Sequence, residues 1–290
     1  MTEQAAVVTG ASTGIGHAVA KRLANNGWQV WAGTRSRTDA AELEQHPGVS
    51  SLRIEVTDES SLKTAFDEVA VQRGSASLEL LVVNAGIVIG GPLEYVSQAE
   101  WRQQLDVNVV GVALSIRHAL PLLRASGRSR IIVVGSINSR VGLPLLSPYV
   151  ASKHALVGLV SSLRQELGRD GPRITLVEPG AVRTPLWEKV ERSSSDIYQR
   201  LPTEGLDEYG RFLEQAIAKT PQSRRGGIHP DRVATVIEKC AGRRYPPRRR
   251  IIGGDARIAA VLNALLPGRF FDVLVRRSRS VRISSQVTDG

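Results

Sequence analysis

Tyr149 and Lys153 stand four residues apart in Tyr-Val-Ala-Ser-Lys, and on a helix that spacing brings both side chains to one face. A tyrosine with an ordinary pKa of about 10 exchanges protons poorly near neutrality. A neighbouring ammonium stabilises the phenolate and brings the exchange within reach, so the pair suits general acid–base work. Each residue also has a plainer reading: Tyr149 as half-buried packing and Lys153 as a surface charge.

A second feature that can do chemistry lies near the start of the chain. Thr9-Gly10-Ala11-Ser12-Thr13-Gly14-Ile15-Gly16 follows an apolar run, Ala5–Val8, and opens a helix expected over Gly16–Asn26 and closed by Gly27. Glycines there permit positive φ and a close backbone approach. A pyrophosphate held at the turn faces the amides at the positive end of the helix. A tight turn without a ligand is the alternative. In dinucleotide-binding folds an acid after the second strand takes the adenosine ribose hydroxyls, whereas a basic residue meets a 2′-phosphate. Gly33-Thr34-Arg35 offers no carboxylate, and the Arg35 guanidinium presents a fork of donors to phosphate oxygens. NADP(H) is thus favoured over NAD(H), unless Arg35 is simply solvated.

The elements that must position these groups are legible as apolar runs with helical segments between them. Ala5–Val8, Gln29–Ala32, Ser51–Val56, Leu78–Val83, Arg130–Val134 and Arg173–Val177 read as strands, with a weaker last candidate at Arg250–Ile252. Short runs continuous in Val, Ile and Leu imply burial on both faces, so the expected fold is α/β. It is a single Rossmann-like, doubly wound parallel sheet of about seven strands flanked by helices. Asp58-Glu59-Ser60 starts a helix through Val71, a helix over 98–124 contains Asn108, and His229-Pro230-Asp231 opens another.

Order and spacing of the motifs resemble the short-chain dehydrogenase/reductase family over residues 5 to about 184. The first turn reads T-G-x3-G-x-G, Asn84-Ala85-Gly86 matches the family's N-A-G, and Pro179-Gly180-Ala181-Val182-Arg183-Thr184 matches its P-G-x3-T. The resemblance implies a cofactor site of Gly10, Ser12, Thr13, Gly14, Ile15, Gly16, Arg35, Glu55, Val56, Asn84, Ala85, Gly86, Tyr149, Lys153, Pro179, Gly180, Val182 and Thr184. Glu55 departs from the usual Asp beside the adenine, and Thr13 stands where NADP-binding relatives often carry a basic residue. Lys153 is implied to hydrogen-bond the nicotinamide ribose. Ser136, thirteen residues before Tyr149 in Val-Val-Gly-Ser-Ile, is implied to hydrogen-bond the substrate oxygen, and Asn108 to hold a water that joins Lys153 to solvent.

Beyond Thr184 the resemblance loosens towards bacterial relatives of sterol and retinol dehydrogenases. It implies a bulky apolar alcohol or carbonyl, such as a sterol, retinoid or lipid-derived compound, entering over Leu143, Leu145, Leu146, Leu186 and Trp187 and meeting Ser136 and Tyr149. Residues 185–228 lose the regular pattern and read as a long irregular substrate lid. The expected organisation is a catalytic domain over 1–255 and a basic amphipathic extension over 256–290.

The 290 residues, 42% apolar, suffice for one substantial core. Cys240 is the single cysteine, which excludes an internal disulfide and suits a reducing cytoplasm. The first apolar run meets the glycine turn too early for a signal peptide, and no stretch reaches about 18 uninterrupted apolar residues. No metal site is expected. The net charge of +10 is concentrated in residues 241–290, where eleven Arg and three Asp leave +8. Two short amphipathic helices over 256–277, with fraying from Ser278, offer peripheral contact with a membrane surface, although packing against the domain or a neighbouring subunit is the more common fate of such helices. The family implies a homodimer or homotetramer.

Three functions follow. The first is an NADP(H)-dependent oxidoreductase interconverting a secondary alcohol and a carbonyl on a hydrophobic substrate. A 3-oxoacyl-carrier-protein reductase would use the basic surface to dock an acidic carrier. A non-catalytic NADP(H) sensor is the third. Specific nucleic-acid binding is not expected, since aromatic residues are 4% of the chain and arginines alone attract phosphate nonspecifically.

Overall fold

The computed structural model describes residues 4–74, 77–271 and 273. Seven parallel strands form one sheet: β1 Ala5–Val8, β2 Gln29–Thr34, β3 Val49–Arg53, β4 Leu80–Val83, β5 Arg130–Val134, β6 Arg173–Pro179 and β7 Arg249–Ile252, in the order β3-β2-β1-β4-β5-β6-β7. β1, β4 and β5 are buried at every position, as continuous Val/Ile/Leu runs require when helices cover both faces.

Because side chains alternate across a strand, Ala5 and Val7 enter one core and Ala6 and Val8 the other. The first core is covered by α3 Glu59–Arg73, α5 Gly111–Ala125 and α6 Ser147–Leu167; the second by α1 Gly14–Asn25, α2 Arg37–Glu44 and α9 Pro230–Ala241. The chain crosses between faces at β1, where the strand order reverses and a crevice opens beyond the carboxyl ends of the strands. The glycine turn, Arg35, Asn84, Ser136 and Gly180 all follow strand ends on that edge.

Local signals set the helix starts. Asp58 accepts from the Ser60 amide at 2.9 Å to start α3, and Ser97 with Glu100 forms a reciprocal capping box on α4 Gln98–Leu105. A π-helical turn, Asp106–Val110, joins α4 to α5, so the expected helix over 98–124 is a continuous run with one widened turn at Asn108. This run, Gln98–Ala125, is long and apolar enough by length and composition to cross a bilayer, but Val112, Ile116, Ala119 and Leu123 bury its inner face in the core.

Three expectations need correction. The third strand stops at Arg53 rather than Val56, because the Glu55 amide bonds the Ser61 hydroxyl at 3.0 Å and turns the chain into α3. The segment 185–228 is not irregular. It folds as α7 Leu186–Arg200 and α8 Thr203–Gly226, which pack through Ile197, Leu201 and Leu213 with Tyr95, Leu145, Tyr198, Leu206 and Tyr209 around them. Its polar residues misled because only one stripe of each helix is buried. Third, the proposed boundary between 255 and 256 falls inside α10 Gly254–Leu265, which begins after Gly253 at φ +114° and buries Ala256 and Ala260. Residues 268–271 are helical too, and the fraying expected from Ser278 lies outside the described residues.

Candidate active site

Pro148 lies in the first turn of α6, where its missing N–H costs nothing, and the helix then carries Tyr149, Ser152 and Lys153 below the end of β5. Lys153 is buried. Its Nζ donates to the Val134 carbonyl at 3.1 Å and lies 5.7 Å from the centroid of the Tyr149 ring. Burial pulls the ammonium down to about 8. Burial also pushes the Tyr149 phenol above its ordinary value, and the hydrogen bond from Ser136 acts the other way.

Ser136 lies two residues beyond β5 and caps the 3₁₀ turn Ile137–Ser139. Its Oγ accepts from the Asn138 amide at 3.2 Å and donates to Asn138 Oδ1 at 3.3 Å. Asn138 Nδ2 donates to the Val141 carbonyl at 3.1 Å, which fixes the orientation of this buried amide. Nothing in the motif spacing singled out Asn138.

Asn108 is buried in the π turn, and its amide is committed to protein partners. Nδ2 donates to the Ile87 carbonyl at 3.0 Å and to Ser152 Oγ at 3.1 Å, while Oδ1 accepts from the Ile87 amide at 2.9 Å. Ser152 Oγ donates in turn to the Tyr149 carbonyl at 2.7 Å. The loop after β4 is thereby tied to the start of α6. Gln104, also fully buried, repeats the device by accepting from the Ile89 amide at 2.7 Å and donating to the Ile87 carbonyl at 3.0 Å.

A cleft of about 180 Å³ runs past the glycine turn and is lined by Gly10, Ser12, Thr13, Gly14, Ile15, Arg35, Glu55, Val56, Asn84, Ala85, Gly86 and Thr184, twelve of the residues expected there, with Leu186 and Lys189 beside them. Gly16 is buried against the turn and does not line the cleft. Gly10 has φ +63°, and a Cβ on it would stand 2.7 Å from Ala85 Cα. Asn84 Nδ2 donates to the Gly10 carbonyl at 2.8 Å and holds the turn against β4. Thr13 makes no side-chain cap on α1 and no acid occupies its first turn, so the helix start remains open to an anion. This cradle fits a dinucleotide. Arg35 and Glu55 form an ion pair at 3.4 Å with side chains 65% and 37% exposed, and Glu55 also accepts from Thr57 Oγ1 at 3.0 Å.

A second cavity of about 560 Å³ joins the cleft along Ile15, Asn84, Gly86, Ile87, Thr184 and Leu186. Ser136, Tyr149 and Lys153 lie in its wall, as do Leu143, Leu145, Leu146, Leu186 and Trp187. Pro179, Gly180 and Val182, expected on the cofactor, line this cavity rather than the cleft. Val190, Ser194, Phe212, Gln215, Ala216 and Thr220 close it from α7 and α8. The repeat Trp187, Val190, Ser194 at steps of three and four is the helical signal that could have found this wall. Leu145 has φ +61° and its carbonyl accepts from the Gly91 amide at 2.7 Å. Lys153 and Asp255 are the charged residues among the described lining.

A family model described as short chain dehydrogenase matches residues 4–195. The Bacillus subtilis (strain 168) protein named Uncharacterized oxidoreductase YusZ is 32% identical over 285 residues, 96% of this chain and 99% of that protein. 17-beta-hydroxysteroid dehydrogenase type 1 of Homo sapiens is 32% identical over 248 residues, covering 82% of this chain and 74% of that protein. Among solved structures, a short-chain dehydrogenase from Streptomyces avermitilis superposes with a TM-score of 0.75 at 24% identity, over 96% of each chain, a likeness of fold.

Proposed function

The chain belongs to the short-chain dehydrogenase/reductase family, oxidoreductases that act on CH–OH groups, and from that premise we propose that it interconverts a secondary alcohol and a carbonyl on a hydrophobic substrate with NADP(H). The observation that carries this reading is the junction of the two cavities. Ser136, Tyr149 and Lys153 stand in the wall of an apolar pocket that opens directly onto the dinucleotide cradle.

NADP(H), when bound, supplies or takes the hydride. The residues handle the proton and the charge. Tyr149 gives its phenolic proton to the carbonyl oxygen in reduction and recovers it in oxidation. Ser136, its Oγ held by the Asn138 amide, turns its hydroxyl proton from Asn138 Oδ1 to that oxygen and orients it. Lys153 stabilises the phenolate and bonds the nicotinamide ribose. Because both Nδ2 hydrogens of Asn108 are committed to protein partners, a relay water there has to donate to the residue's oxygens.

Arg35 supports the preference for NADP(H). Its exposed pair with Glu55 is weak, worth about 0–1 kcal/mol, and exchanges readily for the doubly charged 2′-phosphate. The leucines of the 143–146 segment with Trp187, Val190 and Phe212 support an apolar substrate, and the human relative named for a hydroxysteroid points the same way.

The experiment is NADPH consumption with steroid, retinoid, aliphatic and acyl-thioester ketones, with Tyr149→Phe as control. Turnover of an apolar ketone that the variant loses is expected. Turnover confined to an acetoacetyl carrier thioester assigns a 3-oxoacyl-carrier-protein reductase instead, and binding without turnover assigns a sensor.

The described part of the C-terminal extension bears on location. Ile258, Val261 and Leu265 form an exposed apolar row on α10, with Phe270 exposed beyond it and Arg257 and Arg269 exposed beside them. This supports peripheral contact with an anionic membrane surface, by an enzyme that we propose to be cytoplasmic. Flotation with anionic but not neutral vesicles tests it. A homodimer or homotetramer is the proposed assembly, read by sedimentation.

A further inference from the structure

Two rows of side chains on α7 serve two different cavities. Lys189 lines the dinucleotide cleft and Leu186, one turn before it, lines both where they join, whereas Trp187, Val190 and Ser194 line the substrate cavity alone. Steps of three and four along a helix keep each row on its own stripe. One rigid element thus walls both sites.

The base of this helix abuts the phosphate cradle. Gly14 lies at φ +61° against Thr184, so close that a Cβ on it would stand 2.9 Å from Thr184 Cγ2, and Thr184 precedes α7 by two residues. The Lys189 side chain is exposed and forms no ion pair or hydrogen bond with a described residue. The other two charged residues of the cleft, Arg35 and Glu55, are paired with each other and follow β2 and β3. Those strands lie on one side of β1, while α7 arrives from β6 on the other, beyond β4 and β5. Lys189 therefore enters the cleft from the side opposite the adenosine ribose position, towards the middle of an extended dinucleotide.

The geometry points to Lys189 as a ligand of the cofactor's pyrophosphate, reaching it from the lid while the α1 amides hold it from below. This inference rests on the dinucleotide reading above. Its consequence is that bound cofactor also holds α7, the element that carries the Trp187, Val190 and Ser194 wall of the substrate cavity.

The test titrates wild type, Lys189→Met and Lys189→Arg with NADPH and with NADH by calorimetry, and follows backbone hydrogen exchange over residues 186–200 with and without saturating cofactor. A charge-assisted contact of ordinary strength predicts roughly ten-fold or greater weakening of both dinucleotides in Lys189→Met. The α7 amides of that variant gain less protection from saturating cofactor than those of wild type, and Lys189→Arg restores both readouts. Apo melting temperatures equal to wild type are expected, since the side chain is exposed. Unchanged affinity with unchanged α7 protection overturns the assignment. A loss confined to NADPH also overturns it, because the ammonium would then be reading the 2′-phosphate. Failure of the wild type to bind either dinucleotide removes the underlying cofactor reading, a result distinct from the other two.

Discussion

The Lys153 ammonium donates to the Val134 carbonyl and stands 5.7 Å from the centre of the Tyr149 ring, so it faces the phenol across a short gap instead of bonding it. With burial raising the phenol and Ser136 the partner that lowers it, Tyr149 stays protonated through neutrality before cofactor binds. The reductive direction therefore holds its acid at neutral pH and loses it only in alkali, while the oxidative direction gains rate as pH rises. Profiles of kcat/KM against pH in both directions check this. Tyr149→Phe is expected to lower kcat by about 10²–10⁴ while leaving dinucleotide binding intact.

Lys153 also makes stability depend on pH. Its value of about 8 lies below the ordinary 10.5, so between those limits the unfolded chain binds the proton more tightly and stability rises with pH. Below about 8 the full penalty is present, on the order of 3 kcal/mol for such a shift, offset by about 1 kcal/mol from the Val134 bond. Lys153→Met is expected to be more stable than wild type at pH 7 by roughly 2 kcal/mol, with no such gain left at pH 10.5. Urea denaturation of the apo protein at both pH values measures it, and a variant less stable at pH 7 contradicts it.

Arg35 and Glu55 compete within one pair. Arg35→Ala is expected to weaken NADPH by about ten-fold or more and leave NADH nearly unchanged, since a bidentate phosphate contact is lost. Glu55→Gln should strengthen NADPH several-fold by freeing the guanidinium and removing a like charge from the phosphate. Equal effects on both dinucleotides in Arg35→Ala would place the 2′-phosphate elsewhere.

Glu178 on β6 is fully buried and held from both sides. Arg140 Nε and Nη2 donate to it at 3.1 and 2.9 Å, and Arg249 donates through Nε at 2.9 Å and through Nη2. The carboxylate ties the loop beyond the Ser136 turn to β6 and β7. Glu178→Gln leaves two partly buried guanidinium groups without their charge partner and is expected to destabilise the fold by about 3–5 kcal/mol. Thermal unfolding reads the loss directly. A shift under about 1 kcal/mol would mean that solvent already screens the cluster.

The parallel sheet was legible because a strand covered on both faces must be apolar at every position, and β1, β4 and β5 declare that in four or five residues each. Tyr149, Lys153 and the glycine turn were legible for a similar reason. Helical periodicity and positive φ are local properties, and local spacing encodes them. The lid was misread because α7 and α8 bury narrow stripes amid polar residues, and what those stripes meet is decided by the strand ends that lie opposite.

Asn138, Ser152, Glu178 and Lys189 carried no signal, since each acts through a partner or a cavity that chain order does not specify. Glu178 meets Arg140 and Arg249 across 38 and 71 residues. The sequence by itself determined the fold, the glycine-turn cradle and the helix that carries Tyr149 and Lys153, all built from short-range pattern. The tertiary structure alone decided which face of α7 looks into which cavity and which buried charge is neutralised, because packing of distant segments, not periodicity, sets those distances.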